Sequence, residues 1–172
     1  THATHQAPDE FLEKYKGRFD EGWDVWRVRI HSKQLELGII PAGTALAPRN
    51  PGVRPWTELS AREQAFAIKL QEAFAAFLDH TDAQLGRLLD SLDELGLNDN
   101  TLVIATSDNG ASQEGNETGV LDEFRHFNGL PEDMAAASNR LEEIGTRRRF
   151  TKYPWGWAQV GNTPAKLYKQ NT

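Results

Sequence analysis

Within the stretch Thr101–Gly110, TLVIATSDNG, a polar tip of Thr106, Ser107, Asp108 and Asn109 follows an apolar run. Asp108 supplies a carboxylate and Asn109 an amide oxygen, both hard donors of the kind a calcium or magnesium ion takes. Such an ion wants about six or more oxygens, so these two are part of a site at most. The same residues also suit a plain turn in which an Asx side chain caps its own backbone. Both readings stand on the residues alone. His80 and Asp82 form a second pair of metal-ligand types. A helical histidine beside an aromatic stripe is more often a packing residue than a ligand. Arg147–Arg149 can pair with an anion, although a short basic run is usually a solvated surface.

The elements that must position these groups are read from periodicity and punctuation. Thr101 to Ala105 has strand character without polar alternation, which suits a strand buried on both faces in a parallel sheet covered by helices. In such sheets function gathers at the carboxyl ends of strands. Ser60-Ala-Arg-Glu63 is a capping-box signature. From there Phe66, Leu70, Phe74, Phe77, Leu78, Leu85, Leu88, Leu89 and Leu92 recur at helical spacing until Gly96 stops the helix. Earlier in the chain, Pro8 to about Lys16 and Asp20 to Leu37 read as helices closed by Gly17 and Gly38. Trp23 and Trp26 share a face of the second. Residues 39–58 lack a period and are expected to be an irregular connection. Ala111–Gly119 reads as a loop free to form a rim around the strand tip, and Pro131 to Ile144 as a further helix. The aromatic run Tyr153–Ala158 suits a packed corner or the wall of an apolar pocket. A long helix, a short turn at Asn98–Asn100 and a buried strand make half of a βαβ unit, which predicts an α/β fold.

Composition narrows the function. With 19 basic and 25 acidic residues the net charge is −6, which argues against nucleic acid as a partner. The chain has no cysteine, and therefore no disulfide, thiolate metal site or cysteine nucleophile. No apolar run approaches the roughly 20 residues that span a bilayer, and the amino terminus does not read as a signal peptide.

THATHQAP at the start, SDNG at 107–110 and NTPAKLYKQNT at the end, with YKGRFDEGWD, HTDAQLGRLLD and YPWGWA between them, resemble bacterial arylsulfatases of the formylglycine-dependent sulfatase family. The resemblance implies a partial alkaline-phosphatase-like α/β/α sandwich, with a mixed, mostly parallel sheet flanked by helices. It implies that Asp108 and Asn109 coordinate a calcium ion (Ca2+) beneath the sulfate. His2 matches the histidine that contacts the sulfate ester and its leaving oxygen. Lys169 matches the lysine that neutralises sulfate charge and helps protonate the departing aryloxide. The implied partner is a small-molecule sulfate ester. Thr4 stands where the family often has proline, and Ala165-Lys166 where an aromatic-Arg pair is usual. The paired aspartates that complete the family's metal site, and the C-x-P-x-R motif that becomes formylglycine, have no counterpart in these residues. The chain is therefore expected to be the central part, residues 1–172, of a longer sulfatase catalytic domain and inactive alone. The rival readings are a phosphonate or phosphodiester hydrolase of the same superfamily, in which histidine tends to replace Asn109, and a non-catalytic relative that binds sulfated ligands. A structural α/β domain in which Asp108 and Asn109 merely turn the chain is the plainest alternative.

Overall fold

The computed structural model describes residues 4–169. Ser60 opens its longest element: the Ser60 hydroxyl accepts from the Glu63 N–H at 3.3 Å and the Glu63 carboxylate accepts from the Ser60 N–H at 2.8 Å. This reciprocal pair starts a helix at Ala61–Glu94. Gly96, at φ +65°, ends it in a conformation that other residues adopt only with strain. The amino-terminal half buries Phe66, Ala67, Leu70, Ala73 and Ala76, whereas Leu85, Leu88 and Leu89 further along are exposed.

Two helices precede it, α1 (Asp9–Tyr15) and α2 (Gly22–Glu36), which makes the long helix α3. Helix α1 packs along α3, where Lys14 meets Asp79 at 2.5 Å. The later helices are short: α4 (Glu123–Phe127), α5 (Met134–Ser138) and α6 (Trp155–Gly161). Single 3-10 turns stand at Trp56–Glu58, Asn98–Asn100 and Leu141–Glu143. The core lies where α2, α3 and α6 meet. Trp23, Trp56 and Trp157 pack edge to face with centroids 4.8 to 6.1 Å apart, the arrangement that suits the charge distribution of aromatic rings. The Trp157 indole N–H donates to the Ala67 carbonyl at 2.9 Å, so the buried ring keeps its polar atom satisfied. The aromatic run at 153–158 is thus a packed corner.

Two expectations are corrected. Residues 101–105 do not form a strand: Thr101 is extended, but Leu102 is 85% and Ile104 76% exposed. An extended segment becomes a strand only when its N–H and C=O groups find a ladder, and no described segment supplies one. Among the described residues, bridges are confined to isolated pairs, antiparallel Val120 with Lys152 and parallel Asp122 with Phe150. The described body is therefore mostly helical, and the expected α/β/α sandwich with its mixed sheet is not seen in it. The helix expected from Pro131 to Ile144 is broken. The Asp133 carboxylate caps α5 by accepting from the Ala135 and Ala136 N–H groups, and the Ser138 hydroxyl bonds back to the Met134 carbonyl at 2.6 Å. Such local bonds compete with helix propagation.

Candidate active site

Asp108 and Asn109 sit exposed in an open bend where the Ser107 hydroxyl donates to the Asn109 carbonyl at 2.8 Å. Immediately afterwards the chain is fastened to the body. The Ala111 N–H donates to the Asn162 side-chain oxygen at 2.7 Å. The Asn162 amide donates in turn to the Leu167 carbonyl at 2.9 Å, and the Lys169 N–H donates to the Ala111 carbonyl at 3.2 Å. A β-carbon at Gly110 would fall 2.8 Å from the Asn162 oxygen, and one at Gly115 would fall 1.9 Å from the Tyr153 carbonyl. Both glycines therefore permit an approach that a side chain would block.

This approach assembles a network of charges. The Lys169 ammonium meets one oxygen of Glu114 at 3.0 Å, and the other Glu114 oxygen pairs with Lys152. The Lys152 side chain is 2% exposed; it also meets Glu123 at 3.3 Å and lies 5.0 Å from the Phe127 ring centroid. A buried ammonium is costly unless paired, and here two carboxylates face two ammonium groups.

The amino-terminal segment reaches the same place through aromatic contacts. The buried His5 ring stacks on Tyr153 at 5.2 Å and meets the edge of Phe74 at 5.0 Å. The Ala7 N–H donates to the Gly145 carbonyl at 3.1 Å. Burial pushes the Tyr153 hydroxyl up to about 12 and the Glu114 charge adds to this, against a hydrogen bond with the Ser112 backbone. Segments 4–7, 107–115 and 152–169, far apart in sequence, thus converge.

Of the expected site residues, the structure brings Lys169 to the loop directly behind Asp108 and Asn109. His2 lies outside the described residues. His80 meets Phe11 edge-on at 5.1 Å, consistent with a packing role. Arg147 and Arg148 are solvated, whereas Arg149 pairs with Glu143 at 2.5 Å. No group of three or more His, Cys, Asp or Glu suited to a metal ion occurs among the described residues. The exposed carboxylate of Asp108 and amide of Asn109 fit a calcium ion by donor chemistry and supply only part of its coordination. Sequence reasoning missed Glu114, Lys152 and Asn162, because Glu114 pairs with Lys152 and Asn162 with Ala111 across tens of residues. The position of Glu114 shortly after SDNG was the one local sign of it.

The chain is 36% identical over 165 residues to an uncharacterized sulfatase of Schizosaccharomyces pombe, covering 95% of this chain and 29% of that protein. It is 31% identical over 172 residues to an arylsulfatase of Klebsiella aerogenes, covering 99% of this chain and 35% of that protein. A stretch of 68 residues is 37% identical to an ulvan-active sulfatase of Formosa agariphila, covering 40% of this chain and 12% of that protein. The chain spans about a third of the length of the first two relatives. The family model described as Sulfatase matches residues 1–158, and with that match across most of its length the chain belongs to the sulfatase family.

Proposed function

We propose that the chain is the central part of the catalytic domain of a calcium-dependent arylsulfatase, which hydrolyses sulfate esters to an alcohol or phenol plus inorganic sulfate. The observation that carries this reading is the fixing of Lys169 to the loop that follows Asp108 and Asn109, by the backbone bond to Ala111 and the ion pair with Glu114. Likeness to an arylsulfatase along the whole chain supports the substrate class. The net charge of −6 gives no support to a nucleic-acid partner. No helix among the described residues is long and apolar enough to cross a membrane.

In this reading Asp108 and Asn109 hold the metal through their side-chain oxygens. Calcium, when bound, supplies positive charge beside the sulfate oxygens. Formylglycine, outside these residues, supplies the nucleophile. In the net reaction water adds across the sulfur–oxygen bond of the ester: the oxygen of water ends on sulfur, and the departing aryloxide takes a proton. Lys169 offsets charge on the leaving oxygen and shares in that proton transfer with His2. A preorganised donor of this kind is typically worth about 3 kcal/mol in the transition state. The apolar segment 101–105, which has no ladder among the described residues, would join the family's sheet only where the intact polypeptide supplied a neighbouring strand.

The test is sulfate release from an aryl sulfate by the intact polypeptide, beside Asp108→Ala and beside the calcium-chelated protein. Release is expected from the untreated protein, with losses of at least a hundredfold in both controls. Release that survives both would remove Asp108 from the metal. Cleavage of a phosphodiester without sulfate release would point to the superfamily's other hydrolases, and binding of a sulfated ligand without turnover to a non-catalytic relative.

A further inference from the structure

We infer that Glu114 is a positioning residue that acts on sulfate ester hydrolysis through Lys169. The inference rests on the reading of Lys169 given above. The two oxygens of Glu114 are divided: one meets the Lys169 ammonium at 3.0 Å and the other pairs with Lys152. Lys152 is buried and also meets Glu123 at 3.3 Å. It is therefore anchored independently, and it holds one Glu114 oxygen while Lys169 meets the other. Glu114 stands in the loop that begins at Gly110, directly after Asp108 and Asn109. The Ala111 carbonyl of the same loop accepts from the Lys169 N–H at 3.2 Å. One loop thus grips both ends of Lys169, backbone and ammonium. A lysine has four rotatable side-chain bonds, and a misplacement of about 1 Å in a catalytic group can cost on the order of a hundredfold in rate. Holding the ammonium in one place is what Glu114 contributes.

The test is a double-mutant cycle in the intact polypeptide with 4-nitrophenyl sulfate as the probe. Glu114→Gln keeps the shape of the side chain and leaves Lys152 paired with Glu123. It is expected to lower kcat about tenfold with KM changed less than twofold. Lys169→Ala is expected to lower kcat more, and in its background Glu114→Gln should have no further effect, because the side chain through which Glu114 acts is gone. Glu114→Asp, which keeps the charge on a shorter arm, should give a smaller loss that also vanishes in the Lys169→Ala background, and it serves if Glu114→Gln does not fold. Additive losses would make Glu114 a purely structural group and overturn the inference. A normal kcat in Glu114→Gln beside a damaged Lys169→Ala would overturn it while leaving the role of Lys169 standing. A normal kcat in Lys169→Ala would overturn both.

Discussion

Tyr153 joins the amino-terminal segment to the charged cluster, with its ring on His5 and its hydroxyl at the Ser112 backbone. Its hydroxyl, pushed up to about 12 from an ordinary 10.0 chiefly by burial, binds its proton more tightly in the folded protein than in the unfolded one. The associated stability is complete below about pH 10 and is lost as the pH rises towards 12, a change on the order of 2 kcal/mol. Denaturant midpoints of the intact polypeptide between pH 9 and 12 should therefore fall more steeply for the native protein than for Tyr153→Phe. Equal slopes would show that this hydroxyl does not govern alkaline unfolding. Lys152, beside it in sequence, is held differently. Two carboxylates and an aromatic face surround its ammonium, the kind of compensation that a buried cation requires.

Helices α2 and α6 approach closely because Gly156 has no side chain. A β-carbon there would fall 2.3 Å from the Trp23 ring, inside any van der Waals contact, and rigid aromatic neighbours leave it little room. Gly156→Ala should cost about 1–3 kcal/mol by overpacking. Ser60→Ala, which removes one arm of the α3 capping box, should cost about 1 kcal/mol. Chemical denaturation of the intact polypeptide should rank the two in that order. A neutral Gly156→Ala would mean that the two helices can slide apart without penalty. α3 itself is legible from its cap, its apolar period and Gly96. The helix expected over 131–144 was not, because Asp133 and Ser138 offer the backbone local partners that a pattern of apolar residues does not register.

Across the whole molecule the apolar surface is unevenly covered. The tryptophan core is closed, yet Leu85, Leu88 and Leu89 on α3, Leu95 beyond it, and Leu102 and Ile104 in the segment that follows are each exposed. Apolar surface on this scale is a liability for a soluble monomer. The 172 residues produced alone are expected to be poorly soluble or partly molten, to bind a hydrophobic dye and to lack a cooperative thermal transition; a sharp transition would contradict this. Paired substitutions Leu102→Asp and Ile104→Asp discriminate further. In the isolated chain, where these positions are exposed, they should improve solubility and lower dye binding. In the intact polypeptide they should abolish soluble expression, because a carboxylate would enter a sheet covered on both faces. Tolerance of both substitutions in the intact polypeptide would argue against residues 101–105 forming a sheet strand.

Local chemistry carried much of this in the sequence. The capping box at Ser60, the stops at Gly17, Gly38 and Gly96, the helical period of α3 and the oxygen donors Asp108 and Asn109 all depend on residues within a few positions of one another. The tertiary structure alone decided the pairing of Lys169 with Glu114, the sharing of Glu114 with Lys152, and the seat of Tyr153 between His5 and Ser112. These contacts join residues far apart in the chain, and ion pairs and ring contacts leave no periodic trace. The extended segment at 101–105 shows the converse: apolar β-branched residues fix a preference for extended backbone, but a strand exists only where a neighbouring backbone completes its hydrogen bonds.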